Sequence, residues 1–125
     1  MDDDDDFLAL FRHETAATTL IPGQLLFAKG QPGQQMFIVK SGELQIGEGN
    51  IVFETVKAGG ILGEMAMVDD SPRSASVRAV TACELIPVDK RRFVTMLQQT
   101  PFFAIRVMRV LARRLRAMNE RITQI

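Results

Sequence analysis

Residues 63–77 read GEMAMVDDSPRSASV, and the interpretation of the whole chain depends on this stretch. Gly63 precedes good helix formers, which predicts a short helical turn whose first backbone N–H groups are unpaired and favour an anion. Arg73 stands just before a predicted strand and offers a guanidinium fork for phosphate oxygens, while Ser74 adds a hydroxyl donor. Ionised Glu64 only accepts hydrogen bonds, which suits a sugar hydroxyl. The combination fits a nucleotide that bears a single phosphate.

Each of these features is common when it occurs alone. An arginine and a glutamate nine residues apart usually form a surface ion pair, and glycines between strands are usually turn residues. The predicted site therefore depends on their coincidence in one short stretch, to which the backbone amide of Ala75 adds a further donor.

Residues 18–88 alternate short apolar and β-branched runs with glycine-centred turns, a pattern typical of many short antiparallel strands. The predicted strands are Thr18–Ile21, Leu25–Ala28, Met36–Lys40, Glu43–Gly47, Ile51–Lys57, Ser74–Ala79 and Ala82–Pro87. Spacing of this kind predicts a sandwich, a barrel or a jelly roll.

Helical patterns flank the strand region on both sides. Asp2–Arg12 is predicted to open as a short helix, because acidic residues favour a helix N-terminus. After the strands, Asp89 is predicted to cap a helix over Arg91–Gln98. Pro101 suits the first turn of a long final helix, so the chain should end in two helices.

The final helix carries apolar residues at alternating intervals of four and three, which is an a/d pattern. Its members are Ala104, Met108, Leu111, Leu115, Met118 and Ile122. Packing against the domain's own strands explains the pattern, and so does a seam with a second copy or a partner. The sequence leaves both explanations open.

The same helix is rich in arginine, since six arginines follow Pro101 and only one acid, Glu120, stands among them. A solvated helix face accounts for this charge, and a surface for nucleic acid, a membrane or an acidic partner is the functional alternative. Aromatic residues are few and the sequence contains no recognised DNA- or RNA-binding motif. At most nonspecific nucleic-acid binding is therefore expected.

The composition argues against several functional classes. The 125 residues carry a formal net charge of zero and fit one domain. Cys83 and His13 are the only residues of their types, so we expect no internal disulfide, no metal centre, no cofactor and no enzymatic activity. No apolar run approaches the length of a membrane span and no signal-peptide pattern follows Met1, so we expect a cytoplasmic location.

The stretch quoted above resembles the phosphate-binding cassette of cyclic nucleotide-binding domains. Such domains occur in the bacterial catabolite activator protein, in the regulatory subunits of cAMP-dependent protein kinase and in cyclic-nucleotide-gated channels. The similarity covers roughly Phe7 to Ile122, and it includes Gly30, Gly33 and a strand that ends at Gly42.

The resemblance implies a mainly β fold. This would be a β-roll, or double-stranded jelly roll, with an N-terminal helix, a short cassette helix and two C-terminal helices. Residues 1–125 would form a single domain, with the roll at about 17–88 and the C-terminal helices at about 89–123.

The resemblance also assigns roles in a ligand site. Glu64 would accept a hydrogen bond from the ribose 2′-hydroxyl, and Arg73 would pair with the cyclic phosphate. The backbone amides of Gly63, Glu64 and Ala75, together with the Ser74 hydroxyl, would complete the phosphate cradle.

Further residues are implied around the sugar and the base. Met65 belongs to the ligand-contacting set, Ile61 and Leu62 would face the sugar and base, and Val52 would line the purine. In this family a side chain of the last helix caps the base. The candidates for that lid are Leu111, Arg114 and Leu115.

The function implied is that of a regulatory sensor, which transmits ligand occupancy through its C-terminal helices to an effector protein or to a second copy. Ser74 after the arginine is similar to the cAMP-binding bacterial members, so cAMP is the expected ligand and cGMP the alternative. The competing hypothesis is a degenerate, non-binding pocket in a dimerisation scaffold. The intact pair of Glu64 and Arg73 argues against that hypothesis.

Overall fold

The computed structural model describes residues 7–11 and 13–123, with side chains through Arg121. This part of the chain forms two four-stranded antiparallel sheets followed by two helices. The strands are β1 (Thr18–Leu20), β2 (Leu25–Phe27), β3 (Gln35–Ser41), β4 (Glu43–Glu48), β5 (Ile51–Lys57), β6 (Ile61–Leu62), β7 (Ser76–Ala79) and β8 (Cys83–Asp89). One sheet has the order β1-β8-β3-β6 and the other β2-β7-β4-β5. The predicted mainly β jelly roll is confirmed.

An apolar core joins the two sheets, because side chains alternate along each strand and one face of each sheet turns inward. Val39 and Leu85 of the first sheet and Leu44 and Val77 of the second are all buried in this core. Burying each such side chain contributes about 1.5–3 kcal/mol. The packed sheets form the rigid wall on which the candidate site is built.

Three helices complete the described chain. They are α1 (Glu64–Asp69), α2 (Lys90–Gln99) and α3 (Pro101–Thr123). The predicted N-cap is confirmed, since the Asp89 carboxylate accepts a 2.8 Å hydrogen bond from the backbone N–H of Arg92. Pro101 is the first residue of α3, as its missing N–H group favours.

Phe103 fixes α3 against the roll. Its fully buried ring makes edge-to-face contacts with Phe7, Phe11 and Phe93, at centroid distances of 6.1, 6.4 and 5.7 Å. Such aromatic pairs contribute about 0.5–1.5 kcal/mol beyond the burial of their area. This cluster joins the first described residues, α2 and α3, and it sets the rotation of α3 about its own axis.

The face of α3 that packs on the roll differs from the predicted a/d pattern. Phe103, Val107 and Val110 are buried, whereas Met108 and Leu115 of the pattern are more than half exposed. Phe103 lies one position before Ala104, the first residue of the predicted pattern. Its buried ring determines which side of α3 faces the roll. The side chain of Ile122 lies outside the described residues.

Other boundaries differ slightly from expectation. The strand predicted from Ser74 begins at Ser76, and the two-residue strand β6 was not predicted. In the predicted N-terminal helix the described part is a 3₁₀ turn at Leu8–Leu10, while Asp2–Asp6 and Arg12 lie outside the described residues. None of the described helices is both long and apolar enough to cross a membrane.

Candidate functional site

A cavity of about 620 Å³ lies between the second sheet, the 63–75 segment and the inner face of α3. Its floor is formed by β5 from Phe53 to Lys57, and the residues of α3 between Arg113 and Arg121 close one side. A cavity of this size suits a ligand the size of a mononucleotide, since small-molecule sites measure roughly 300–1,000 Å³.

Two glycines make room for the buried guanidinium beside this cavity. Gly63 has a φ of 78°, and a Cβ atom there would lie 2.5 Å from Nη1 of Arg73. A Cβ on Gly33 would lie 2.7 Å from the Cβ of Ala66 and 3.0 Å from Cζ of Arg73. Any side chain at either position would therefore displace Arg73 or α1.

Arg73 is held rigidly. Its guanidinium stacks on the ring of Phe27 at 4.0 Å, while Nη2 donates to the carbonyl of Gln35 at 2.7 Å and Nη1 to that of Gly63 at 3.3 Å. Its backbone N–H donates to the carbonyl of Gln31 at 2.8 Å. The side chain needs no further ordering before it contacts a ligand.

The Arg73 guanidinium retains hydrogen-bonding capacity. The residue is 7% exposed, and its Nε is buried without a hydrogen-bond partner among the described residues. Burial lowers the pKa of Arg73, and the negative charge of Glu64 partly opposes this change. A buried cation with an unfilled donor is unfavourable unless an anion completes its contacts, so the site fits a phosphate.

A second arginine links both glutamates of the cavity. The side chain of Arg114 extends from α3 into the cavity wall. Its Nε and Nη2 donate hydrogen bonds to the two carboxylate oxygens of Glu54, at 3.0 and 3.1 Å. Its Nη1 pairs with Oε1 of Glu64, which is 2% exposed, and Nη2 also donates to the carbonyl of Ile61 at 2.9 Å. These contacts tie α3, β5 and the cassette together.

The charges in this cluster stabilise one another. Burial by itself would raise the pKa of Glu54, but the hydrogen bond and charge of Arg114, with the charges of Arg113 and Arg121, lower it below its ordinary value. Burial would likewise lower the pKa of Arg114, yet the two glutamates raise it. Both partners therefore stay ionised at neutral pH.

The structure brings together most of the residues predicted for the phosphate and ribose. Lining the cavity are Gly63, Glu64, Met65, Arg73, Ser74 and Ala75. The Ser74 hydroxyl lies 3.5 Å from the sulfur of Met65. These residues share one wall, and their contact with a ligand stays a prediction.

Ile61 and Leu62 are not in that wall. Both side chains are buried in the apolar cores, at 1% and 0% exposure, and neither lines the cavity. They form β6, which pairs with Phe37 and Ile38 of β3, and because successive side chains point to opposite faces, each is buried in a different apolar cluster. The backbone carbonyl of Ile61 reaches the site through its bond to Arg114.

Val52 lies outside the cavity, and its predicted place beside a purine was wrong for this structure. Its side chain is 51% exposed on the outer face of the second sheet. Simple alternation puts Val52 on the same face as Glu54 and Val56. A bulge intervenes, because Ile46 pairs with Glu54 and Gly47 with Val52, which leaves Phe53 as an extra residue. The bulge shifts the phase of the strand by one residue and turns Val52 outward.

Among the three predicted lid residues, Arg114 faces the cavity. Leu111 packs against the core shared with the roll, and the side chain of Leu115 is exposed. The choice follows from the rotation that Phe103 imposes on α3, since Arg114 lies on the same face as Phe103, Val107 and Val110.

Several cavity residues were not predicted from the sequence. They include Phe27, Phe53, Glu54, Arg113, Ala117, Met118 and Arg121. Glu54 left a recognisable signal, because a carboxylate two residues before a core valine in an alternating strand points inward. The residues of α3 depend on the rotation of that helix, Phe53 depends on the bulge, and Phe27 depends on how β2 packs beside Arg73. No local pattern specifies these features.

Comparisons with known proteins agree with this geometry. Residues 17–100 match the family model described as the cyclic nucleotide-binding domain. A CRP-like cAMP-activated global transcriptional regulator of Mycobacterium tuberculosis is 29% identical over 108 residues, which are 82% of this chain and 48% of that protein. The chain thus spans about half the length of that relative.

Solved structures show the same fold. The catabolite activator protein of Thermus thermophilus superposes with a TM-score of 0.76 at 26% identity, covering 86% of this chain and 53% of that one. The cAMP-bound PfPKA-R structure gives 0.74 at 25% identity, covering 82% of this chain and 36% of that one.

The β-roll and its cavity, with a buried arginine and a buried glutamate on one wall, have the features of a small-molecule-binding domain. The match over residues 17–100 makes the assignment specific, and the chain belongs to the cyclic nucleotide-binding domain family.

Proposed function

We propose that the chain is a cyclic nucleotide sensor that binds cAMP in the cavity beneath α3 and transmits occupancy through that helix. The observation that carries the proposal is the Arg73 guanidinium, which is buried, held by two carbonyl groups and has an Nε without an acceptor among the described residues, with Glu64 on the same cavity wall. A monoanionic cyclic phosphate on a ribose supplies an acceptor for the first and a hydroxyl donor for the second.

The preference for cAMP is supported by two of the relatives. The mycobacterial regulator is described as cAMP-activated, and PfPKA-R was solved with cAMP bound. Ser74, in the position after Arg73, also favours cAMP over cGMP. The alternative ligand, cGMP, differs only in its purine and can meet the same phosphate and ribose contacts.

Transmission through α3 is supported by two contacts between this helix and β5. Arg114 binds Glu54, and Arg121 lies 4.2 Å over the ring of Phe53 and donates to its carbonyl at 3.1 Å. The bulge leaves Phe53 outside the regular strand pairing, so Arg121 engages a carbonyl at an irregular point of β5. A ligand in the cavity contacts both elements and shifts their equilibrium by its differential affinity.

The proposed role is binding rather than catalysis, and its output goes to an effector protein or to a second copy. Among the described residues, no group of three His, Cys, Asp or Glu side chains is placed to hold a metal ion. The cytoplasmic location expected from the sequence stays a prediction.

Calorimetric titration of the wild-type chain with cAMP, cGMP and 5′-AMP tests the proposal. We expect micromolar or tighter binding of cAMP, which corresponds to at least about 8 kcal/mol, and weaker binding of cGMP. We expect 5′-AMP to bind at least about tenfold more weakly, because its free, doubly charged phosphate does not match a pocket closed around one guanidinium. Absence of binding by both cyclic nucleotides would instead favour the degenerate scaffold.

A further inference from the structure

We propose that Glu54 and Arg114 are positioning residues for Glu64, so that α3 holds the carboxylate that recognises the ribose. This proposal rests on the proposed function and adds a role for Glu54, a residue outside the cassette motif. The side chains of Glu54, Arg114 and Glu64 come from three different elements and form a single hydrogen-bonded chain, which runs from β5 through α3 to α1.

The hydrogen-bonding capacity of Arg114 is nearly exhausted by protein groups. A guanidinium has five N–H donors, and four bonds go to Glu54, Glu64 and the carbonyl of Ile61. Few of its N–H groups are left to form hydrogen bonds with the edge of a purine. Arg114 therefore acts on a ligand through the carboxylates that it holds.

Glu54 gives Arg114 its orientation. Both oxygens of Glu54 engage the guanidinium in a two-point contact, and this geometry fixes the plane of the fork better than one bond can. Because Glu54 sits on β5, an edge strand paired with β4, the fork is anchored to the second sheet. From this anchor, Nη1 of Arg114 reaches the buried carboxylate of Glu64.

Glu64 depends on this contact. An isolated carboxylate at 2% exposure is strongly unfavourable, and a charged hydrogen bond offsets the cost of its burial. Arg114 takes the Oε1 atom, which leaves Oε2 to accept the ribose 2′-hydroxyl. Without Arg114 the carboxylate is no longer held in one orientation, so it accepts less well from the ribose.

The test compares cAMP with 2′-deoxy-cAMP, which lacks the hydroxyl that Glu64 recognises. For the wild-type protein we expect an affinity ratio of about 10- to 100-fold, the value for a hydrogen bond to a charged group. In Glu54→Gln and Arg114→Met the ratio should fall below about threefold. Arg114→Lys keeps one charge without the fork and should give an intermediate ratio. Glu48→Gln and Arg116→Met, which change exposed residues of β4 and α3 outside the cavity, should keep the wild-type ratio.

Two results would overturn the proposal, and they differ from each other. If the variants bind cAMP and 2′-deoxy-cAMP with an unchanged ratio, or lose both equally, Glu54 and Arg114 have only a structural role. If the wild-type protein binds neither nucleotide, the proposed function fails and this proposal fails with it.

Discussion

Replacing Arg73 by alanine will weaken cAMP binding by about 30- to several thousand-fold, equivalent to roughly 2–5 kcal/mol. The guanidinium is desolvated by Phe27 and by the two carbonyl groups it binds, so a phosphate beside it gains a strong, charge-assisted contact. Arg73→Lys should also lose most of the affinity, because an ammonium cannot reproduce a planar fork that stacks on a ring.

The matched control for this prediction is Arg78→Ala. Arg78 lies on β7, only five residues away, but its exposed side chain donates to the carbonyl of Gly23 outside the cavity. We expect Arg78→Ala to bind cAMP within about twofold of wild type, since surface changes away from a site have small effects. Thermal unfolding of each variant should establish that it is folded. Binding by folded Arg73→Ala within threefold of wild type would contradict the phosphate assignment.

Phe103→Ala will lower the free energy of unfolding by about 3–5 kcal/mol, the range for removing a buried aromatic ring. The ring is fully buried among Phe7, Phe11 and Phe93, so its removal leaves a cavity and loosens α3. Urea denaturation measures this loss of stability directly when the m-values of the variant and the wild type agree. For comparison, Phe103→Leu keeps part of the volume and should lose less than half as much.

The neighbouring residue provides the control. Phe102 is 72% exposed, so Phe102→Ala should change stability by less than about 0.5 kcal/mol. Equal losses in Phe102→Ala and Phe103→Ala would show that α3 packs with a different rotation. The placement of Arg114 in the cavity wall would then be wrong as well, because it depends on the same rotation.

The strands, the turns and the two C-terminal helices could be predicted from the sequence because their causes are local, whereas the choice of a roll rested on the resemblance to the family. Glycine-centred turns separate the strands at short intervals, and the N-cap at Asp89 and the proline at Pro101 mark where the helices begin. In the cassette, the coincidence of Gly63, Arg73 and Ser74 in one short stretch indicates an anion site, and the resemblance to the family assigns its roles.

The features missed depend on tertiary packing. Apolar residues occur on more than one face of α3, so the spacing alone did not show that Phe103 rather than Met108 faces the roll. The bulge at Phe53 reversed the expected direction of Val52, because a single extra residue exchanges the two faces of a strand. The contact of Glu54 with Arg114 joins residues sixty positions apart, and no local pattern connects them.

Hydrogen exchange measured with and without saturating cAMP tests the central claim most directly, because it reports on the cassette and on α3 in one experiment. We expect slower exchange at the amides of residues 63–66 and 73–75, where the phosphate and ribose bind, together with a change along α3 from Arg113 to Arg121. Unchanged exchange in the cassette at saturating cAMP would contradict nucleotide binding at this site. A protected cassette with an unchanged α3 would contradict transmission through the helix.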